Sequence, residues 1–294
     1  MAMRLIADCG STSCKWINDV NSSLRTGPGI NPTVMKEEDF RQRISQNEDL
    51  WSAEERASVS RVDFFGAGCT LPSAASRIKE ALQKSFPNAQ IQVESDLMAA
   101  CLAGYSGKPT AVGILGTGSA AAGFDGRNIF RATPSLGYVL ADEGAGSAIG
   151  RKMLTAYLYG ELPQDLHQQF EKLFPETTVD SVLGTFYGPQ ASGGMLATYA
   201  GLAAENNKDP FVVGTLSPLF ADFISRHLMP LLKAGYEKVA IIGSVGYGFS
   251  ELLRGLLQKA GFTEILFFKD PMERLPDIIW TQKGREINAQ SQTH

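Results

Sequence analysis

Two stretches constrain this chain more than anything else in it: "LIADCGSTSCKW" at 5–16 and "GILGTGSA" at 113–120. Each runs apolar, breaks into small polar residues and turns apolar again. A tight hairpin needs only two turn residues, such as Asn-Gly. The first break carries Asp8, Gly10 and the hydroxyls of Ser11, Thr12 and Ser13, with Lys15 just beyond. The second carries Gly116, Thr117, Gly118 and Ser119. Both breaks lie between two strands at the same place in successive halves, which predicts an internal repeat of two α/β domains. The restart follows "SGKP" at 106–109 and divides the chain into domains 1–108 and 109–294.

The coarser pattern agrees. Residues 4–8, 13–20 and 23–27 read as three strands joined by tight turns, and "GPGINPT" (27–33) as a loop. Polar helices at 36–47 and 50–58, a buried strand at 61–68 and an amphipathic helix at 73–86 stopped by Pro87 follow. A strand at 91–95 leads into a helix at 96–105. Such alternation predicts a sheet covered by helices. The second half is mostly helical from 147 to 234, then returns to a strand at 237–243, a helix at 247–260 and a strand at 264–270. Between them, "GYVLADEGAGSAIGRKML" (137–154) reads as a strand ended by Asp142 and Glu143, with a helix from about Ser147.

With 294 residues, each half is long enough to bury its own core. The net charge of −4 argues against a nucleic-acid or anionic-membrane partner. The longest apolar run, 111–124, is broken by glycines and hydroxyls, so no membrane span is predicted. "MAMRLIADCG" enters a strand without a signal peptide's apolar core, and the expected location is the cytoplasm. Cys9, Cys14, Cys69 and Cys101 sit singly, and His167, His227 and His294 are far apart, so the thiols read as buried bystanders rather than metal ligands.

Several residues could carry chemistry, each with a plainer explanation beside it. Gly10 lets the backbone approach a ligand, and the turn amides with the Ser11 and Thr12 hydroxyls could donate to phosphate oxygens. Asp8 could hold Mg²⁺ directly or through water. A polar hairpin explains the same residues. The turn at 116–119 offers a second cradle, or simply a flexible turn. In "GSVGYGF" (243–249), Gly243, Ser244 and Gly246 suit a nucleoside edge lying close to the main chain, or a glycine-rich strand-to-helix turn. Asp96 opens a helix directly after a strand, where α/β sheets bind ligands, or serves as the helix N-cap. Asp142 or Ser147 could likewise be a cap. "SGKP" is no Walker A loop, because proline follows the lysine where Ser or Thr should stand. The glycines of 144–150 lack the βαβ unit of a dinucleotide fingerprint.

The order of these pieces resembles the superfamily of actin-like ATPases, sugar kinases and heat-shock chaperones, and within it the BadF/BadG/BcrA ATPase family with its N-acetylglucosamine kinase branch. The matching segments are "DCGST", "SDLMAA", "GTGS", "ADEGAGSAIGR" and "GSVG", spanning residues 5 to about 260. The resemblance implies two ribonuclease-H-like domains with ATP and Mg²⁺ bound in an interdomain cleft. It implies phosphate contacts from Gly10, Ser11, Thr12, Lys15, Gly116, Thr117 and Gly118, with Asp8 at the metal. Gly243, Ser244 and Gly246 would lie along the nucleotide. A sugar would meet Asn31, Ser119, Gly137 and Asp142, and Asp96 would be the base on its hydroxyl. Ala141 stands where the family has glycine before Asp-Glu-Gly, Leu136 where the amino-sugar kinase has tryptophan, and the last stretch lacks the family's closing Gly-Ala helix.

The activity this implies is transfer of the γ-phosphoryl group of ATP to a hydroxyl of an amino sugar, N-acetylglucosamine or glucosamine. The rival is an ATPase that activates or regulates a partner. Activator relatives hold an iron–sulfur cluster through cysteines, and residues 120–147 here contain none. The expected partners are a small sugar and ATP, with no nucleic acid and no membrane. A homodimer is left open.

Overall fold

A computed structural model describes residues 2–188 and 191–281 of the chain. They divide into two compact units, 2–103 with 271–281, and 104–270.

The first unit opens with β1 (Met3–Cys9), β2 (Ser13–Asn18) and β3 (Leu24–Pro28), an antiparallel meander. Then come α1 (Glu37–Glu48), α2 (Ala53–Ser58), β4 (Val59–Gly66), α3 (Pro72–Ser85), β5 (Gln90–Ser95) and α4 (Asp96–Gly104). The sheet order is β3-β2-β1-β4-β5, with β4 parallel to both β1 and β5. Burial explains the assignments. β2 alternates, with Cys14, Trp16 and Asn18 inside, as a strand with one covered face must. In α3 the buried residues Ala74, Ile78, Leu82 and Ser85 form one stripe, and Pro72 sits in the first turn, where its missing N–H costs nothing.

The second unit repeats the plan. β6 (Thr110–Leu115), β7 (Ser119–Phe124) and β8 (Ile129–Phe130) form the meander, and β9 (Lys238–Ile242) and β10 (Glu264–Phe268) run parallel to β6. The order β8-β7-β6-β9-β10 is that of the first sheet. Between β8 and β9 lies a helical region: α5 (Gly137–Leu140), α6 (Gly146–Leu158), α7 (Gln164–Leu173), α8 (Val179–Phe186), α9 (Gly193–Thr198), α10 (Ala200–Glu205), α11 (Pro210–Phe223), a π-helical turn (Ile224–Leu228) and α12 (Met229–Lys233). After β9 come α13 (Ser244–Gly248) and α14 (Ser250–Ala260), the latter ended by left-handed Gly261. Each unit has its own hydrophobic core. No helix among the described residues is long and apolar enough to cross a membrane.

Two expectations change. The first division falls at 103/104 rather than 108, because Gly104 ends α4 against Ala240, Val112 and Ile242 of the second unit's sheet. The final stretch, with α15 (Leu275–Trp280) after a 3₁₀ turn at Pro271–Glu273, groups with the first unit rather than the second. There Arg274 donates to the Ala103 carbonyl at 2.8 Å, an end-of-helix acceptor of α4. Residues 282–294 of the predicted second domain, His294 included, lie outside the described residues.

A buried polar chain in the first unit fixes the first turn. Trp16 Nε1 donates to Asn47 Oδ1 at 2.8 Å, and the Asn47 amide donates to the Pro28 carbonyl at 2.9 Å. α1 thereby holds the end of β3, and the next two amides, Gly29 and Ile30, donate to the carbonyls of Thr12 and Gly10 at 3.0 and 3.1 Å. A Cβ on Gly29 would stand 2.4 Å from the Gly10 carbonyl oxygen. Gly29→Ala should therefore push this contact apart and cost about 1–3 kcal/mol of stability, the usual range for overpacking, read as a lower urea midpoint at unchanged slope.

Candidate functional site

In the first unit, the parallel register brings Cys9, Gly66 and Ser95 to one edge of the sheet, the carboxyl ends of β1, β4 and β5. Ligands of open α/β sheets bind at such edges. Asp8 sits one residue before the end of β1, half-buried, with Lys15 as its cross-strand partner on β2. The turn closes through Gly10 N–H to the Ser13 carbonyl at 2.9 Å, leaving Ser11 and Thr12 exposed. Asn31 joins it: its amide donates to Ser11 Oγ at 3.3 Å, and its Oδ1 accepts from Thr33 Oγ1 at 2.6 Å. Left-handed Gly68 (φ 79°) packs under that Asn31 oxygen, so the loop after β4 belongs to the same edge.

The residue that caps α4 is not Asp96. Ser95 Oγ accepts from the Met98 amide at 3.2 Å, the hydrogen bond of an N-cap, while Asp96 is the first helical residue. Asp96 Oδ1 accepts from the adjacent Leu97 amide at 2.9 Å. The expected capping explanation therefore passes to the serine, which the Ser-Asp pair in the sequence could have signalled. Beneath this edge lie the buried thiols Cys9, Cys14 and Cys69. Burial pushes the Cys69 thiol up to about 12, with Cys9 and Asp96 adding to the rise, and burial likewise raises Cys14. The Cys14 and Cys69 thiols stay protonated and act as small apolar residues.

The second unit builds the corresponding edge differently. Gly116 N–H donates to the Gly118 carbonyl at 3.1 Å, and the first two amides of α6, Gly146 and Ser147, donate to the carbonyls of Gly116 and Thr117 at 2.8 and 3.0 Å. α6 is backed closely by α9, where a Cβ on Gly150 would lie 1.8 Å from the Leu196 carbonyl oxygen. The expected strand before Asp142 is instead the short helix α5, entered by left-handed Gly137 (φ 74°) and followed by Asp142 itself in a left-handed conformation (φ 65°). The polar turn demands this reversal: the buried Asp142 carboxylate accepts the Ser119 amide at 3.1 Å and lies against Gly118. Neither Asp142 nor Ser147 caps α6 with its side chain. Ala145 is the N-cap, and the buried Ser147 Oγ has no hydrogen-bond partner.

Burial pushes the Asp142 carboxyl above its ordinary value; the Ser119 amide opposes this and Glu143 adds to it. Burial acts on Glu143 in the same sense, but its own amide and His227 outweigh it, and the carboxyl lies below the ordinary value. Sequence reading passed over Glu143's partners: His227 Nε2 at 3.1 Å and Arg226 Nε at 3.6 Å. No residue spacing connects positions 143 and 227; only the fold does.

At the end of β9, Gly243 (φ 121°) brings its backbone against Leu115 and Gly116, and Gly246 packs on Ile241. Ser244 between them is exposed. The strand-to-helix turn thus abuts the turn at 116–119 within one unit, and its two glycines are required by the packing itself. Gly10 and Gly116 differ. A Cβ would meet only ordinary contact at Gly10 and open space at Gly116, and neither residue has positive φ. Among the described residues, no group of three or more His, Cys, Asp or Glu side chains converges as a metal cluster.

No protein-family model matches the chain, and no protein of curated function matches it in sequence. Solved structures do. A Porphyromonas gingivalis protein provisionally assigned as an N-acetylglucosamine kinase is 29% identical, with a TM-score of 0.83 over 93% of this chain and 97% of its own. A Chromobacterium violaceum protein with the same provisional assignment is 15% identical, with a TM-score of 0.65 over the same shares. A ROK-family glucokinase from Streptomyces griseus, solved with glucose and AMPPNP, is 14% identical, with a TM-score of 0.51 over 90% of this chain and 94% of its own. These likenesses show the two-domain fold of the actin-like ATPases.

A carboxyl raised in the folded state is ionised there at a cost. That cost grows as pH rises from about 4, the ordinary carboxylate value, through the folded value. Asp142→Asn keeps an oxygen for the Ser119 amide and removes the buried charge. Its melting temperature should equal or exceed that of wild type at pH 7, and the difference should vanish below about pH 4; thermal unfolding across pH checks this.

Proposed function

We propose that this chain, whose fold is that of the actin-like ATPases, is a sugar kinase that moves the γ-phosphoryl group of ATP to a hydroxyl of an amino sugar of the N-acetylglucosamine or glucosamine class. The observation that carries the reading is Asp96. It stands at the same sheet edge as the polar turn at 10–12, and Ser95 relieves it of capping. The likeness to the Porphyromonas gingivalis protein supports an amino sugar, and the glucokinase with its ATP analogue supports the nucleotide. Membership of the BadF/BadG/BcrA family, named on sequence motifs, remains part of this proposal.

The donor set fits a magnesium ion. Asp8 is a single half-buried carboxylate beside a turn of small residues, and Mg²⁺ takes one or two carboxylates, retained water and substrate phosphates. Bound there, the ion would neutralise phosphate charge. In each unit the turn carbonyls are tied to following amides, so each turn would offer phosphate its hydroxyls and N–H groups: Ser11 and Thr12 in the first unit, with Lys15 adding positive charge, and Thr117 and Gly118 in the second. Open space at Gly116 leaves room for that approach. Gly243, Ser244 and Gly246 would line the nucleoside. Asn31, Ser119, Gly137 and Asp142 would hold the sugar, and Asp96 would take the proton from the attacking hydroxyl. Holding the reactants in line is the main contribution of such a site.

ADP release, coupled to a reporter reaction, should be measured with Mg-ATP against amino sugars, neutral hexoses and no acceptor. Turnover dependent on an amino sugar supports the proposal. Equal turnover without acceptor would favour the ATPase that acts on a partner, and no turnover a binding role.

Two substitutions test the roles. Asp8→Asn should leave the fold intact and lower turnover most at limiting Mg²⁺; normal turnover there removes Asp8 from the metal. Asp96→Asn should bind ATP and sugar yet lose ~10²–10⁴-fold in rate, as general-base loss does. Because Ser95 is the cap, the melting temperature should barely move. Wild-type-like turnover by Asp96→Asn would leave the reaction without this base.

A further inference from the structure

We infer that His227 is a positioning residue for the sugar: it ties together both ends of the segment 133–143 and so holds Gly137 and Asp142 in place. The inference rests on the proposed sugar contacts of those two residues.

His227 is buried, and both ring nitrogens are engaged. Nδ1 lies 2.7 Å from Thr133 Oγ1, and Nε2 lies 3.1 Å from Glu143 Oε2. Thr133 precedes α5 and Glu143 follows it. One imidazole therefore spans an eleven-residue segment at both of its ends. A carboxylate can only accept, so Nε2 carries a proton, and the threonine hydroxyl, able to donate or accept, completes the bond at Nδ1.

The segment between needs such a clasp. It contains two left-handed residues, Gly137 and Asp142, and the exposed apolar side chains Leu136, Val139 and Leu140, which contribute little burial. Its other ties include Asp142 to Ser119 N–H, the Tyr138 carbonyl, which accepts from Arg151, and the Tyr138 hydroxyl, which donates to the Ala191 carbonyl at 3.1 Å. The clasp is itself held rigidly. His227 sits in the π-helical turn, where the Met229 amide reaches back five residues to the Ile224 carbonyl, and the ring lies 5.5 Å from that of buried Phe223. Pro230 has no N–H for the Arg226 carbonyl, which fits the widening of the helix at this point. The same turn carries Arg226 to the other Glu143 oxygen, at 3.6 Å. A π-turn that aims two consecutive side chains at one carboxylate is a local irregularity with a function.

Thr133→Val removes the hydroxyl at near-equal volume, and Thr133→Ser restores it. Losing one such hydrogen bond should raise the sugar KM roughly 3- to 10-fold, with kcat, ATP KM and melting temperature near wild type, and the serine variant should return most of the loss. In parallel, hydrogen exchange of the amides of 137–143 should quicken in Thr133→Val and slow again in Thr133→Ser. Unchanged exchange overturns the clasp, and faster exchange at an unchanged sugar KM overturns its link to the sugar. The exchange measurement needs no turnover. A wild-type protein inactive on every sugar would therefore count against the proposed reaction, and the exchange arm would still decide whether the clasp exists.

Discussion

Both candidate sites depend on one device: a pair of consecutive backbone amides that donates to the carbonyls of the polar turn. In the first unit these are Gly29 and Ile30 on Thr12 and Gly10; in the second they are Gly146 and Ser147 on Gly116 and Thr117. The donors come from unrelated structure, a loop after β3 in one case and the start of α6 in the other. Each pair begins with a glycine packed against the turn, more tightly at Gly29 than at Gly146. The effect on the turn is common to both. With their carbonyls occupied, these loops are braced by main chain, to which Asn31 and Asp142 add side-chain bonds at Ser11 and Ser119. Much of the packing behind them serves this arrangement, from Trp16 and Asn47 under β3 to the close crossing of α6 and α9.

The strands and repeat were legible because their signals are local. Apolar runs, period-2 burial in β2 and the stripe of α3 follow from residues a few positions apart. The fold class was legible for the same reason, since two polar turns in equivalent places imply two equivalent meanders, and both sheets share one strand order. What failed was set by distant partners. Residues 137–141 look like a strand because Tyr138, Val139 and Leu140 are consecutive and apolar, yet the Ser119 amide draws Asp142 into a left-handed turn and leaves room only for the short α5. The boundary after α4 moved because Gly104 packs on β6 and β9, and the closing segment groups with the first unit through contacts such as Arg274 with Ala103.

The glycines separate fold from function better than motif matching does. Gly243 and Gly246 lie in a stretch that resembles an adenosine motif, but the backbone angle of Gly243 and the close neighbours of both already demand glycine. Their presence is accounted for with no ligand at all. Gly10 and Gly116 have ordinary angles and room for a side chain. Helix and strand propensity disfavour glycine without such a reason, because it loses the most entropy on folding. On the proposed reading, the close approach of a ligand would supply that reason, and the exposed hydroxyls of Ser11 and Thr12 would give it a polar character.

Within the proposed function, the pair Ser95–Asp96 bears on whether a nucleotide would be held or used. A protein that only binds needs donors around the phosphates, which on the proposed reading the turn amides and hydroxyls would supply. It has no need of an additional carboxylate at the end of β5, where the negative charge would repel phosphate. One residue placed there as a cap would be unremarkable, because the first turn of a helix favours an acidic side chain. Here the cap is the serine, and the aspartate stands beside it at the carboxyl edge of the sheet. Helix stability alone is satisfied by Ser95. The carboxylate of Asp96 is the group that a hydroxyl acceptor, and not a bystander phosphate, would require.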